Sequence, residues 1–178
     1  MADVILLALG HPDRTDDGFG ERLLRRFETD YQRPAGLLSL YAGHLPMAHY
    51  ERIAGCAWLV LLDAVQTDSA TPDIIVADPL PAPDTEPAIA VHQMGAVQLL
   101  QLLDVLGDRP ARISLVGAGF ASLDWGHGLS GALEARLPQA SRTLARLLRS
   151  GGVTLSARPG PTPRPAPVKT QNRTRPDA

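Results

Sequence analysis

Three side chains that could bind one divalent cation stand at comparable places in the sequence. Asp17 lies in the first loop, within Thr15-Asp16-Asp17-Gly18-Phe19-Gly20, and Asp63 directly follows the apolar run Trp58-Leu59-Val60-Leu61-Leu62. His92 comes after a proline-rich loop, at the start of an apolar helical pattern. Oxygen and nitrogen ligands without a thiolate suit nickel, zinc or another divalent ion. Three protein ligands leave coordination positions open, which is typical of sites that catalyse a reaction or read an ion.

Each of the three residues also has an ordinary structural interpretation. Asp17, or its neighbour Asp16, could cap the following helix, as acids commonly do. Asp63 could accept hydrogen bonds from a neighbouring loop, and His92 could be a half-exposed histidine at a helix start. If one of the two adjacent acids caps the helix, the other still has no capping role. The shared position of the three residues at predicted strand ends therefore favours a common site.

The same loop argues against nucleotide binding. Its glycines do not have the G-x-G-x-x-G spacing of a dinucleotide-binding turn. Asp13, Asp16 and Asp17 crowd the place where a phosphate would sit, and a helix N-terminus offers only about half a positive charge in return. A small flavodoxin-like nucleotide binder is therefore a weaker hypothesis than a cation site.

Short apolar runs that alternate with amphipathic patterns predict the elements that position these residues. Such alternation predicts an α/β fold, a three-layer α/β/α sandwich with a mostly parallel sheet of about five strands. Ligands of such sheets bind beyond the carboxyl ends of the strands, which is where the three residues fall. The predicted strands are 4–9, 37–41, 58–62, 74–77 and 113–116, and the predicted helices are 18–31, 47–53, 92–106 and 129–148.

The composition indicates one globular domain followed by a distinct tail. Apolar residues make up 44% of the 178 residues, which is enough for one core. We expect a domain over 1–156 and a disordered, basic tail over 157–178, because the tail holds six of the sixteen prolines. The residues before 157 carry 12 basic and 18 acidic side chains. This excess of acid argues against nucleic acid as a partner.

The remaining sequence features concern compartment and competing chemistries. No apolar run approaches the roughly 20 residues that span a bilayer, and the N-terminus lacks the features of a signal peptide. We therefore expect no membrane partner and a cytoplasmic location. The single cysteine, Cys56, lies in an apolar stretch, where we expect a small buried side chain and not a nucleophile. The chain has neither an H-E-x-x-H nor a G-x-S-x-G motif.

Four motifs, in order, resemble those of the hydrogenase maturation proteases, over roughly residues 3 to 150. Members of this family remove a C-terminal extension from the large subunit of nickel–iron hydrogenases. The resemblance implies that Asp17, Asp63 and His92 are both the catalytic residues and the ligands of nickel. The motifs are Leu7-Ala8-Leu9-Gly10 with 15–20, Leu61-Leu62-Asp63-Ala64, His92-Gln93-Met94-Gly95, and Leu115-Val116-Gly117 followed by Ser122-Leu123 and Gly128-Leu129-Ser130.

The resemblance further implies an aspartyl-type endopeptidase that acts on the large-subunit precursor. Nickel would arrive in that substrate, so the resting enzyme can be metal-free, and a monomer is the default expectation. No general base is identified, and Asp16 is the nearest candidate. The rival hypothesis is a nickel-dependent assembly factor that uses the same residues without cutting.

The chain departs from the family pattern at three loops. At one of them, Gly119-Phe120-Ala121 stands where a proline often follows the last strand. Tyr41-Ala42-Gly43-His44 replaces an Asp-Gly-Gly-Thr turn found in many members, and His11 with Pro12 replaces an asparagine and an apolar residue. We expect His44 near the edge of the site. There it would supplement the ligands, touch the substrate or remain an exposed turn residue.

Overall fold

The computed structural model describes residues 3–67, 72–80, 90–91 and 94–159. Two 3-10 turns, Thr15–Gly18 and Pro46–His49, precede the first two helices. In chain order, the elements are β1 (Val4–Leu9), α1 (Phe19–Asp30), β2 (Tyr31–Gln32), β3 (Leu37–Gly43), α2 (Tyr50–Ile53), β4 (Trp58–Gln66), β5 (Ile74–Ala77), β6 (Ala90–Val91), α3 (Met94–Leu106), β7 (Arg112–Gly119), α4 (Gly131–Glu134), α5 (Leu137–Ser150) and β8 (Ser156–Ala157).

The main sheet has the strand order β3-β1-β4-β7-β5, and β6 pairs with β4 outside this path. β3, β1, β4 and β7 are mutually parallel, whereas the edge strand β5 runs antiparallel to β7. Helices α1 and α5 cover one face, and α3 with α2 covers the other. The predicted three-layer fold with a mostly parallel sheet is thus confirmed.

Burial on both faces explains why β1 and β4 read as continuous apolar runs. In β4, Val60 and Leu62 pack in the core under α1 and α5, whereas Leu59 and Leu61 pack in the core under α3. All four are 0% exposed. Side chains of a strand alternate between faces, so a central strand of a covered sheet has no polar face to show.

Several predicted boundaries were wrong, and two of them bear on the site. The strand expected to end at Asp63 continues to Gln66, because its last residues pair with β7 and β6. The single helix expected over 129–148 is two helices. Ser130 caps α4 through its side chain, and α5 starts afresh with a proline in its first turn, where the missing N–H of proline costs no hydrogen bond.

Gly20 brings the first helix directly onto the sheet. A Cβ at this position would lie 2.5 Å from the carbonyl oxygen of Leu9 and 2.3 Å from that of Leu62. Only a glycine permits this approach. The start of α1 is therefore held against the carboxyl ends of β1 and β4, where the candidate residues lie.

Ordered pairing continues past residue 156. Ala157 in β8 pairs with Tyr31 in β2, and the Arg158 N–H donates to the carbonyl oxygen of Asp30 at 2.8 Å. None of the helices in the described ranges is long and apolar enough to cross a membrane.

Candidate active site

The first loop folds back over the end of β1 and fixes Asp17. Gly10 has a φ of +95°, and a Cβ there would collide with the carbonyl oxygen of Asp17, so the turn requires glycine. Asp17 is 2% exposed. Its Oδ2 accepts the backbone N–H of His11 at 2.9 Å. The carboxylate is thus oriented by the backbone of its own loop.

Asp63 lies inside β4, opposite Gly117 of β7, and is fully buried. Neither of its carboxylate oxygens accepts a hydrogen bond from any residue in the described part of the chain. Nearly all buried polar groups in native proteins have a partner. A buried carboxyl group without one is costly unless it holds a proton or meets a cation.

The charge of Asp17 acts on the buried carboxyl group of Asp63. Burial raises the pKa of Asp63 well above its usual value, and the negative charge of Asp17 raises it further. The nearby backbone amide of Ala64 makes no hydrogen bond of good geometry to either oxygen, and it opposes the shift only to a smaller extent. A carboxyl group in this setting keeps its proton to higher pH, and a divalent cation between the two acids would remove the cause of the repulsion.

His92, the third predicted ligand, lies outside the described residues. Of its described neighbours, Val91 pairs with Val65 of β4, two residues beyond Asp63. Gly95, at the start of α3, stands against the carbonyl oxygen of His44. Within the described ranges, no three His, Cys, Asp or Glu side chains form a group that could hold a metal ion. Asp17 and Asp63 therefore need a further ligand, from His92 or from a substrate, to complete such a site.

Asp16 has a different role from its neighbour. It is fully buried, its Oδ2 accepts the N–H of Ala121 at 2.9 Å, and its Oδ1 accepts the N–H of Ser130 at 2.6 Å. Both oxygens therefore hold the loop between β7 and α4 against the first loop. These contacts give Asp16 a positioning role, and its assignment as general base stays a prediction.

The departures from the family pattern lie together at this edge. The exposed ring of His44 stacks on the ring of His11, with 5.1 Å between centroids. His44 thus lies near the edge of the site, where we expected it. Tyr41 donates its hydroxyl to the carbonyl oxygen of Gly10 at 3.0 Å. Trp125 also meets His11, at 5.7 Å. Sequence reasoning missed Trp125, whose only signal was a tryptophan within a polar loop.

Cys56 is buried, as predicted, and burial raises the pKa of its thiol to about 11. It therefore carries almost no thiolate at neutral pH, and a thiolate is what a nucleophilic cysteine needs.

Comparisons with known proteins point in one direction. The family model described as hydrogenase maturation protease, HycI, matches residues 22–147. The hydrogenase expression/formation protein HupD of Rhizobium leguminosarum bv. viciae is 28% identical over 159 residues, covering 88% of this chain and 79% of that protein. Among solved structures, the hydrogenase maturating endopeptidase HybD from Escherichia coli has a TM-score of 0.77 at 26% identity, covering 89% of this chain and 98% of that one. The [NiFe] hydrogenase maturation protease HybD from Thermococcus kodakarensis has a TM-score of 0.65 at 26% identity, covering 83% and 99%.

Proposed function

Since this chain belongs to the hydrogenase maturation protease family and is an endopeptidase, we propose that it removes the C-terminal extension of a nickel–iron hydrogenase large-subunit precursor after nickel insertion. The similarity to proteins named as hydrogenase maturation endopeptidases supports this substrate. A non-proteolytic assembly factor is not favoured, because those relatives are proteases.

We propose that Asp17, Asp63 and His92 bind nickel that the precursor carries. One observation supports this above all: the Asp63 carboxyl group is buried, lacks a hydrogen-bond partner among the described residues, and feels the charge of Asp17. A divalent cation brought by the substrate would satisfy it. Carboxylate and imidazole are suitable ligands for nickel.

The chain's own residues then act as a test for a loaded precursor. Without the ion, burial and the charge of Asp17 make Asp63 favour its protonated form. When the ion arrives, the proton of Asp63 leaves, because ligands bind metals in their deprotonated form. Asp17 is already oriented by the His11 N–H. Nickel held in this way can polarise the scissile carbonyl or acidify a water.

We place this reaction in the cytoplasm. A single buried cysteine is compatible with a reducing compartment.

The test is intact-mass spectrometry of a purified precursor incubated with the protein. Nickel-loaded precursor should lose the mass of its C-terminal extension, and nickel-free precursor should keep it. The Asp17→Asn, Asp63→Asn and His92→Ala variants should leave the loaded precursor uncut. Asp104→Asn is the matched control, since this acid lies near the end of α3, is exposed and pairs with Arg109. Equal cutting of loaded and nickel-free precursor would refute the role of nickel.

A further inference from the structure

A strip of exposed and half-exposed side chains lies beside the two buried acids. The ring of His11 stacks on His44 with an interplanar angle of 27° and meets the indole of Trp125 edge-on. Leu45 follows His44 and is 71% exposed, and Trp125 is 76% exposed. We call these four residues the edge strip.

The indole at one end of the edge strip is held in place although it is exposed. The guanidinium of Arg14 lies 5.7 Å from the ring centroid of Trp125, within the range of a cation–π contact, and its Nε donates to the carbonyl oxygen of Leu123. The next residue, Gly126, donates its N–H to the carbonyl oxygen of Asp13 at 2.8 Å. A pre-positioned aromatic side chain loses little freedom on binding, which is typical of the residues that dominate protein interfaces.

Exposed apolar side chains are concentrated at this edge of the sheet. Among the described residues, seven large apolar side chains are exposed, and four of them lie in β3, the turn after it or the loop that carries Trp125. Grouped exposure of this kind marks a binding surface more often than scattered exposure does. The four are Tyr41, Leu45, Met47 and Trp125, and the other three are Val76, Val105 and Leu106.

We propose that the edge strip is the docking surface for the polypeptide of the substrate, in an extended segment that adjoins the bond to be cut. The inference rests on the proposed function, which brings a precursor chain to Asp17. His11 links the two places, because its ring is the middle of the strip and its backbone N–H holds the Asp17 carboxylate. A chain that reaches Asp17 therefore also comes close to the strip.

The surroundings define the chemistry of that segment. The strip presents the side chains of Leu45 and Trp125 beside two imidazole rings, and the guanidinium of Arg14 lies over the indole. The strip therefore fits a segment that places an apolar or aromatic side chain against Trp125.

Replacement of Trp125 tests the proposal through the split between KM and kcat. With nickel-loaded large-subunit precursor from the same organism as the probe, Trp125→Ala should raise KM about tenfold or more. It should leave kcat within about twofold, because the indole does not touch the acids. Trp125→Phe should restore most of the loss. Val105→Ala, an equally exposed apolar truncation at the end of α3, should change neither constant. An unchanged KM in Trp125→Ala, or a loss of the same size in Val105→Ala, would overturn the proposal.

Fluorescence gives a readout that does not depend on cleavage. The chain has two tryptophans, of which Trp58 is 4% exposed and Trp125 is 76% exposed. Addition of precursor should shift the emission to shorter wavelength and protect it from acrylamide, and Trp125→Phe should abolish both changes. A protein that shows these changes without cutting the precursor retains the docking surface and loses the proposed function. One that cuts the precursor without any change at Trp125 loses the docking surface alone.

Discussion

Replacing Asp63 by asparagine should inactivate the protein and, at neutral pH, make the fold more resistant to unfolding. The side chain is fully buried and its oxygens have no hydrogen-bond partner among the described residues. Its pKa is raised by burial and by Asp17. Asparagine keeps the shape and cannot ionise. Sites that serve function commonly cost stability in this way.

The sign and size of the effect follow from the raised pKa. In the unfolded chain the carboxyl group titrates near its ordinary value of 3.8, and in the folded chain it titrates higher. Between the two values, the folded state holds a proton that the unfolded state has lost. The stability from Asp63 is therefore complete below about pH 3.8 and is lost as the pH rises to the folded pKa, by up to about 1.4 kcal/mol per pH unit. For a chain of this length, 1.4 kcal/mol corresponds to roughly 3–6 °C in Tm.

Urea unfolding of both proteins at a series of pH values, with a chelator present, measures this difference. The free energy of unfolding of Asp63→Asn should gain on that of the wild type as the pH rises from about 4.5. Any constant difference between an amide and a protonated carboxyl group drops out, because only the slope matters. Asp17→Asn should narrow the pH range over which the difference grows, because it removes one cause of the raised Asp63 pKa. A difference that is flat with pH, or that falls, would refute the reasoning.

Three further predictions concern the scaffold around the acids. Asp16→Ala removes the buried carboxylate that accepts two part-buried backbone N–H groups and should lower the free energy of unfolding by about 2 kcal/mol in urea titrations, whereas exposed Asp124→Ala should cost under 1 kcal/mol. Gly20→Ala places a methyl group 2.3 Å from a carbonyl oxygen of β4 and should abolish soluble expression, while Gly131→Ala, which has open space, should express normally. Truncation after Pro159 should leave Tm and cleavage unchanged. Truncation after Gly152 also removes buried Leu155 and should lower Tm measurably. Equal Tm values for both truncated proteins would contradict a folded domain that extends past Leu155.

The sequence predicted the identities of the buried acids better than their surroundings. Asp63 was visible as an acid after five bulky apolar residues, yet its place inside β4 depends on pairing with β7 and β6, which local pattern does not encode. The pattern over 129–148 stays amphipathic across the break between α4 and α5, because both helices bury one face on the same core.

Long-range hydrogen bonds explain what sequence reasoning could not find. The sequence suggested a helix cap or a base for Asp16. Its actual partners are backbone amides 105 and 114 residues away, which local sequence cannot reveal. Trp125 similarly meets His11 only after the loop beyond β7 has folded back on the first loop. Contacts of this kind leave no periodicity and no local spacing in the sequence.

The Asp16 contacts also set an order of events during synthesis. The first loop leaves the ribosome more than a hundred residues before its partners at Ala121 and Ser130. Until then Asp16 has neither amide, and a buried carboxylate without donors is unfavourable. The carboxyl edge of the sheet therefore cannot take its final form before residues 121 and 130 have been made. A nascent or prematurely released chain that lacks this region has the two acids but no closed site, so the protease becomes competent only when almost all of its domain has been made.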